Sequence, residues 1–443
     1  MRLIFRGLVL FQSVVLIESA SSARVAAVVS TDCVRPDWRS IREVGAGFPA
    51  SLVTLMHLKT RFPEWQSFLV TDTSKWSVSC HAAFERFQEA YGLRFPNEKI
   101  EIASLKIQKG GLLERISSRP GKETDHAKGH WPVEAHMHLL LPEIMWLKGY
   151  GHSVVTDPDV FFLDSELALE IPKVQGIGCI AALPAECLSE SRSGPGMMKA
   201  LHDEYRLVTE PELLTKIKER SEKIGFHIKN STNSGLVIYN NENLAKINWS
   251  SWIETLFDVS SLGFYGDQTA LSVALGRDDI DVYWLDPKFN VMLTLPKDYI
   301  RSTCGPDALY SRVAATHDKP ISAVHFVWGP KPWTTMMNDN HLVPNKFAVQ
   351  ADLLYANTYR DFVKSILSPE LRLAFFAPHA FDVINNTTPY LKSAHYSACD
   401  KNPRPCAPLL STIENHVSID RHLLKKQKQL MMMEEEKKSP TTN

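Results

Sequence analysis

The 443-residue sequence lacks an excess of charge of either sign, since 49 basic residues face 50 acidic ones and the formal net charge is −1. Without a basic field the chain has no electrostatic footprint for nucleic acid, and it has no charge block that would attract it to a membrane surface. With 44% hydrophobic and 22% charged residues, its composition is that of an ordinary globular protein. We therefore expect a small polar or anionic ligand held by a few local groups, and no nucleic-acid partner.

The N-terminus lacks an apolar run long enough to span a bilayer. The run from Gly7 to Ile17 is interrupted by Gln12 and is shorter than the ~20 residues that a spanning helix needs. Arg2 and Arg6 precede it and small residues follow it, a layout typical of a secretory signal peptide. We expect residues 1–23 to be removed, with a retained signal-anchor as the alternative. The protein would then lie in the secretory pathway, in the Golgi lumen or secreted, and would touch a membrane only through a retained anchor.

Cysteine spacing offers no zinc motif, because none of the seven cysteines forms a Cys-x-x-Cys pair or a Cys/His pattern. Cys179 lies in an apolar run and is expected to be a buried free thiol. Cys399 and Cys406 flank a proline-containing loop and are the predicted disulfide. Passage through an oxidising compartment also agrees with four glycosylation acceptors, Asn230, Asn248, Asn385 and Asn386.

Short apolar segments alternate with helical patterns along residues 24–345. The predicted strands are Arg24–Asp32, Ser67–Asp72, Ile100–Leu105, Ser153–Thr156, Gly176–Pro184, Asn233–Tyr239 and Ile321–Phe326, and the predicted helices include Gly47–Arg61, Ala82–Tyr91 and Glu134–Leu147. This alternation predicts an α/β fold with a mostly parallel central sheet flanked by helices. Residues 346–430 read as a helical, turn-rich C-terminal extension, and residues 431–443 as a disordered tail.

Two carboxylates follow the strand Ser153–Thr156. Pro158 in Asp157-Pro158-Asp159 cannot donate to a sheet ladder, so the strand stops there. Ligands of open α/β sheets bind beyond the carboxyl ends of strands. Neighbouring carboxylates repel each other unless a cation joins them, and Mg²⁺ and Mn²⁺ favour oxygen ligands. The motif therefore predicts a metal site, with an ordinary Asp-x-Asp turn as the alternative.

Four separated motifs need a common explanation. They are Asp157-Pro-Asp159, Asn233-Ser-Gly235, Asp267-Gln268 and His325-Phe-Val-Trp-Gly329-Pro-Lys331-Pro-Trp333. Each alone also fits a turn, a helix cap or a core histidine. In this order, and on the ends of predicted elements, they resemble the retaining nucleotide-sugar glycosyltransferases of family 8, the glycogenin-like and galactosyltransferase-like enzymes. The resemblance covers roughly residues 24–340.

The resemblance implies a GT-A fold, which is Rossmann-like, and a metal-dependent transfer of sugar from a nucleotide sugar. The nucleotide is expected to be UDP and the acceptor a glycan or glycoprotein. Mn²⁺, or Mg²⁺, would be held by Asp157, Asp159 and His325. A neutral imidazole beside carboxylates suits Mn²⁺ better than Ca²⁺.

The resemblance also assigns the residues around the donor. The expected catalytic residues are Asn233, Asp267 and Gln268, which would line the sugar pocket with Gln268 near the anomeric carbon. The expected nucleotide contacts are Asp32 on the base or ribose, and Asp157, His138, Gly329 and Lys331 near the diphosphate.

Two departures from the family pattern concern the expected contacts with the diphosphate. Gly329 stands four residues after His325, where family members usually have it three after. Family members often carry an arginine where this chain has His138. Since histidine is charged only below about pH 6.5, we expect weaker or pH-sensitive phosphate binding.

Two other functions are compatible with the same residues. One is a non-catalytic secreted relative that binds carbohydrate or nucleotide sugar, against which the presence of both aspartates, His325 and Lys331 argues. The other is a metal-dependent phosphohydrolase, but such sites usually bring further Asp or His ligands for a second metal. The sequence shows one such cluster, which favours the transferase.

Overall fold

The computed structural model describes residues 24–33, 47–107, 111–117, 133–181, 232–259, 266–292, 321–326, 332–333 and 358–376. The predicted signal peptide and tail, the cysteine pair Cys399/Cys406, and the residues Gly329 and Lys331 lie outside these ranges, so the expectations for them stay predictions. Within these ranges, none of the helices combines the length and apolar character needed to cross a membrane.

Ten strands lie in the described ranges and form two sheets. They are β1 (Val25–Ser30), β2 (Gln66–Thr71), β3 (Glu101–Ser104), β4 (His152–Thr156), β5 (Val160–Phe162), β6 (Ile177–Ala181), β7 (Thr232–Asn240), β8 (Val282–Trp284), β9 (Val291–Met292) and β10 (Ala323–His325). The main sheet has seven strands in the order β3-β2-β1-β4-β7-β6-β8, and the small sheet has the order β5-β10-β9.

The main sheet is mostly parallel. Strand β7 runs antiparallel to its two neighbours β4 and β6, and the remaining pairs are parallel. In the small sheet, β10 is antiparallel to β5 and parallel to β9. The predicted α/β class with a mostly parallel sheet is therefore confirmed.

Helices cover both faces of this sheet. They are α1 (Phe48–Arg61), α2 (Val78–Arg94), α3 (Leu112–Ser117), α4 (Leu141–Leu147), α5 (Asn241–Lys246), α6 (Trp249–Val259), α7 (Gly266–Ala274), α8 (358–366) and α9 (Pro369–Phe375). Successive residues of β1 enter different cores, Ala27 and Val29 on one side and Ala26 and Val28 on the other. Because both faces are buried, the strand is a continuous apolar run without alternation.

The described part of the predicted C-terminal extension is helical and packs into the core beside α1. Tyr359 and Val363 of α8 are buried in the same cluster as α1. The ring of Phe362 lies edge-on to His57 of α1, with centroids 4.9 Å apart. Leu367 and Ser368 separate α8 from α9, so this stretch holds two helices.

One predicted helix is divided in the structure. Instead of a continuous helix over Glu134–Leu147, a 3₁₀ segment Val133–Leu140 precedes α4. Pro142 lies in the first turn of α4. A proline inside a longer α-helix would remove a backbone hydrogen bond and clash with the carbonyl four residues earlier, so the α-helix begins beside it.

The structure contains a disulfide that the sequence did not indicate. Cys33, which follows β1, is bonded to Cys80 in the first turn of α2, 47 residues later in the chain. Spacing alone does not determine which cysteines pair. The prediction of a buried free thiol at Cys179 is confirmed.

Candidate metal and donor site

The Asp157-Pro158-Asp159 turn lies between the two sheets and forms hydrogen bonds with residues on three other parts of the fold. The amide of Asp157 donates to the carbonyl of Gly235 on β7 (2.9 Å), and the amide of Phe326 after β10 donates to the carbonyl of Asp159 (3.0 Å). The hydroxyl of Thr54 on α1 donates to the carbonyl of Pro158 (2.7 Å). The turn is therefore positioned by α1, β7 and β10 together.

Asp157, Asp159 and His325 form a cluster at this turn. Nε2 of His325 lies 3.2 Å from Oδ1 of Asp159 and 3.8 Å from Oδ2 of Asp157. One ligand atom from each of the three residues lies within 4.8 Å of the others. The side chains of His325 and Asp159 are buried, whereas that of Asp157 is 35% exposed. The cluster therefore opens to solvent at Asp157.

The ring orientation of His325 suits a divalent cation. Its Nδ1 lies 2.8 Å from Oδ1 of Asn290, an acceptor, so Nδ1 carries a proton. In the neutral ring the lone pair is then on Nε2, which faces the two carboxylates. Three electron-rich ligand atoms directed at one point repel each other unless a cation joins them. Imidazole and carboxylate together fit Mn²⁺ or Mg²⁺.

The expected sugar-pocket residues Asn233 and Gln268 are in contact. Nδ2 of Asn233 donates to Oε1 of Gln268 (3.0 Å), which also accepts from the amide of Ser234 (3.4 Å). Oδ1 of Asn233 accepts from the amide of Gly235 (3.0 Å) and from Nδ2 of Asn290 (2.7 Å). A chain of hydrogen bonds thus connects Gln268 on α7 to the metal cluster.

Asp267 lies in a buried polar group behind Gln268. Nε2 of His138 is 3.0 Å from Oδ2 of Asp267, and Nδ1 of His138 is 2.8 Å from the hydroxyl of Tyr239. Burial by itself raises the pKa of Asp267, but His138, with smaller contributions from His136 and Ser234, outweighs it, and the pKa lies below its ordinary value. Burial also raises the pKa of Tyr239 well above its ordinary value. Asp267 is therefore ionised and Tyr239 protonated.

Both ring nitrogens of His138 face protein groups. A contact between His138 and a diphosphate would require one of these hydrogen bonds to break, so the expected phosphate role of His138 stays a prediction. Within the structure, His138 joins the 3₁₀ segment to α7 and β7. The described contacts bring Asp267 and His138 together, a pairing that the sequence did not indicate.

The expected base or ribose contact, Asp32, follows the end of β1 and precedes the disulfide-bonded Cys33. Burial raises the pKa of the Asp32 carboxyl, partly offset by its backbone hydrogen bond and the charge of Lys75. Trp333 is buried, and the carbonyl of Pro332 accepts a hydrogen bond from Nε of Arg360 (2.9 Å). The segment following Lys331 is thereby anchored to α8.

Two residues of these networks, Asn290 and Tyr239, were not predicted as site residues. Asn290 follows a short 3₁₀ turn, Pro287–Phe289, and stands directly before β9. A single asparagine beside an aromatic residue carries no recognisable pattern. Tyr239 is one apolar position in the fully buried strand β7. Only their contacts in the folded structure identify Asn290 and Tyr239 as residues of the site.

No family model matches the chain. No curated protein matches it either.

Solved structures do resemble the chain. One is the galactosyltransferase LgtC in complex with donor and acceptor sugar analogs, at 17% identity and a TM-score of 0.45, covering 79% of this chain and all of that one. Mouse xyloside xylosyltransferase 1, apo form, has 13% identity and a TM-score of 0.39, covering 73% and 99% of the two chains. The bifunctional glycosyltransferase WbbM has 14% identity and a TM-score of 0.45, covering 80% of this chain and about half, 52%, of that one. At such low identities and TM-scores, we base the function on this chain's own side chains.

Proposed function

We propose that the chain is a metal-dependent retaining glycosyltransferase. It would move a sugar from a nucleotide sugar, UDP-sugar in the first instance, to a glycan or glycoprotein acceptor. The convergence of Asp157, Asp159 and His325 at the carboxyl end of β4 carries the proposal. Asp157 and His325 are 168 residues apart in the sequence, and the fold brings the ligand atoms of all three residues within 4.8 Å of one another.

The chemistry of a nucleotide sugar suits this cluster. Departure of the diphosphate leaves negative charge on its outer phosphate, and a bound Mn²⁺ or Mg²⁺ would stabilise that charge without proton transfer. Asp159 and His325 are buried and held by backbone and side-chain hydrogen bonds, so they would offer fixed ligands. The partly exposed Asp157 would complete the set on the side where the nucleotide arrives.

The residues behind the cluster would shape the sugar pocket. Gln268 and Asn233 are held in one orientation by their mutual hydrogen bond, and Asp267 is kept ionised by His138. Polar groups that are already fixed at the reacting centre need little reorganisation free energy during the reaction. Asp32, with Gly329 and Lys331, completes the proposed contacts to base and diphosphate.

We also propose that the protein works in the secretory pathway, in the Golgi lumen or outside the cell. The signal-like N-terminus, the disulfide Cys33–Cys80 and the acceptor Asn248 support this location. Asn248 is exposed and borders a groove of about 510 Å³. A glycan could be attached there without disturbing the core.

The test is release of nucleotide from a panel of UDP- and GDP-sugars by the full chain, with Mn²⁺ or with EDTA. We expect Mn²⁺-dependent release from one donor. Asp159→Asn should reduce it about 100-fold or more, because the variant removes a charged metal ligand. The matched control is Asp278→Asn, which removes the same charge from an exposed residue outside the cluster.

Other outcomes separate the alternatives. Binding of a nucleotide sugar by calorimetry without any turnover would replace the transferase with the non-catalytic binding relative. If the panel shows neither binding nor turnover, the transferase and the binding relative are both refuted. Equal loss in the Asp159 and Asp278 variants would show that the cluster is not the site.

A further inference from the structure

Asn290 contacts both halves of the proposed site. The residue is 3% exposed, and both ends of its amide meet protein groups. Its Nδ2 donates to Oδ1 of Asn233 over 2.7 Å, and its Oδ1 faces Nδ1 of His325 at 2.8 Å. One side chain therefore lies between a proposed metal ligand and a residue of the proposed sugar pocket.

A backbone amide determines the direction of this hydrogen-bond chain. The N–H of Gly235 can only donate, so the atom that it meets 3.0 Å away is the oxygen of Asn233. Asn290 must then present its NH₂ group to that oxygen. Its own oxygen is left facing His325, and Nδ1 of His325 must carry the proton. The amide orientations thus follow from Gly235 without ambiguity.

The same reasoning extends to Gln268. Since the oxygen of Asn233 is taken by Gly235 and Asn290, its NH₂ group faces Gln268. The atom of Gln268 that it meets at 3.0 Å is the oxygen, which accepts as well from the amide of Ser234. Gln268 is half-buried, and its NH₂ group is the end of the amide that does not meet Asn233 or Ser234. Any ligand contact made through that end would use Gln268 as a hydrogen-bond donor.

We propose that Asn290 is a positioning residue that orients His325 toward a divalent cation and, through Asn233, orients Gln268 as a donor toward an oxygen of the bound sugar nucleotide. This inference rests on the proposed function for its ligands. Hydrogen-bond partners of a metal-binding histidine typically change metal affinity 10- to 100-fold when they are removed. Unlike a hydrogen-bond partner that contacts only the histidine, Asn290 also contacts Asn233 of the proposed sugar pocket.

Two substitutions separate the two contacts. Asn290→Asp keeps an acceptor for Nδ1–H of His325 but places an oxygen against the oxygen of Asn233. Asn290→Leu removes both contacts at similar volume. We expect Mn²⁺ affinity, measured by calorimetry, to fall about 10- to 100-fold in Asn290→Leu and to be retained or raised in Asn290→Asp. Turnover of the donor should fall in both variants.

The proposal is overturned if Asn290→Leu binds Mn²⁺ like the wild type, or if Asn290→Asp loses as much affinity as Asn290→Leu. Thermal unfolding shows whether each variant folds. Asn290→Ser, which is smaller and polar, replaces the leucine variant if that does not fold, with the same expected loss of affinity.

A measurement without metal distinguishes failure of this proposal from failure of the proposed function. Two-bond ¹H–¹⁵N spectra of the ¹⁵N-histidine-labelled full chain report which ring nitrogens are protonated, and His325→Gln assigns the signal. We expect Nδ1 of His325 to be protonated in the wild type and in Asn290→Asp, and to lose this preference in Asn290→Leu. An unprotonated Nδ1 in the wild type overturns the role of Asn290 even if Mn²⁺ binds. Absence of Mn²⁺ binding with a protonated Nδ1 refutes the metal-dependent function and, with it, the metal-orienting part of the proposal.

Discussion

At the scale of single residues, the absence of a side chain at Gly235 leaves space for the ring of His325. A Cβ added to Gly235 would lie 2.2 Å from Cε1 and 2.8 Å from Nδ1 of the His325 ring. The backbone of Gly235 is engaged as well, with its amide donating to Asn233 and its carbonyl accepting from Asp157. The residue must therefore be glycine because of close approach to the ring.

Gly235→Ala should lower Mn²⁺ affinity by about 10-fold or more, as the loss of a histidine partner does, because the His325 ring must move from Asp159 and Asn290. Calorimetry with Mn²⁺ measures the change. Overpacking of this kind also destabilises the fold by about 1–3 kcal/mol.

The control for this variant is Gly92→Ala in α2, where an added Cβ meets nothing within 4 Å. It should bind Mn²⁺ normally and gain roughly 0.5–1 kcal/mol in stability from helix propensity. Normal Mn²⁺ binding by Gly235→Ala would show that the ring tolerates displacement.

At the scale of elements, the disulfide joins the end of β1 to the start of α2. Ser77 caps α2 by accepting from the amide of Cys80 (3.2 Å), so the first turn of the helix is fixed at two points. Asp32 stands directly before Cys33. The bond thereby restricts the segment that carries the proposed base or ribose contact.

Reduction with dithiothreitol should lower the free energy of unfolding of the wild type by about 2–4 kcal/mol, because the unfolded chain regains the entropy of the closed loop. Urea unfolding measures this value. Reduction should lower the free energy of unfolding of the double variant Cys33→Ala, Cys80→Ala by about 2–4 kcal/mol less than that of the wild type. Equal losses in both proteins would assign the effect to other cysteines.

At the scale of the whole molecule, His57 joins α1 to the small sheet and to α8. Its Nε2 accepts from the amide of Phe162 (3.0 Å), and its ring stacks on Phe161 with centroids 4.1 Å apart. Burial, with the charge of Arg61, holds the pKa of His57 well below its ordinary value of 6.5. The native protein therefore keeps this histidine neutral at pH values where a solvent-exposed histidine is already protonated.

His57 should make the protein less stable as the pH falls below 6.5. In that range the unfolded chain takes up a proton at His57 and the native state does not, so the equilibrium shifts toward unfolding. His57→Gln retains an acceptor for Phe162 and does not titrate. Between pH 6.5 and about 5.5, the wild type should lose about 1 kcal/mol more stability in urea unfolding than the variant. Parallel losses would show that His57 is protonated in the native state.

Much of the fold follows from local patterns. The apolar strands β1, β2, β4, β6 and β7 and the helices α1 and α2 were predicted near their observed bounds, because β-branched runs and helical spacing are local properties. The short strands β5, β8 and β9 were missed, since two or three residues carry no periodicity. The antiparallel direction of β7 was also missed, because strand direction depends on where the chain re-enters the sheet.

The sequence by itself determined the residue types at the site: the Asp-Pro-Asp turn after a buried strand, Asn233, Gln268 and His325. Proline stops the strand, and carboxylate and imidazole chemistry point to a cation wherever these groups meet. Only the tertiary structure decided which groups meet. Asn290 became the link between His325 and Asn233, His138 became the partner of Asp267, and Cys33 the partner of Cys80. These pairings join residues 35 to 129 positions apart, and contacts at such distances depend on the packing of whole elements and not on local sequence.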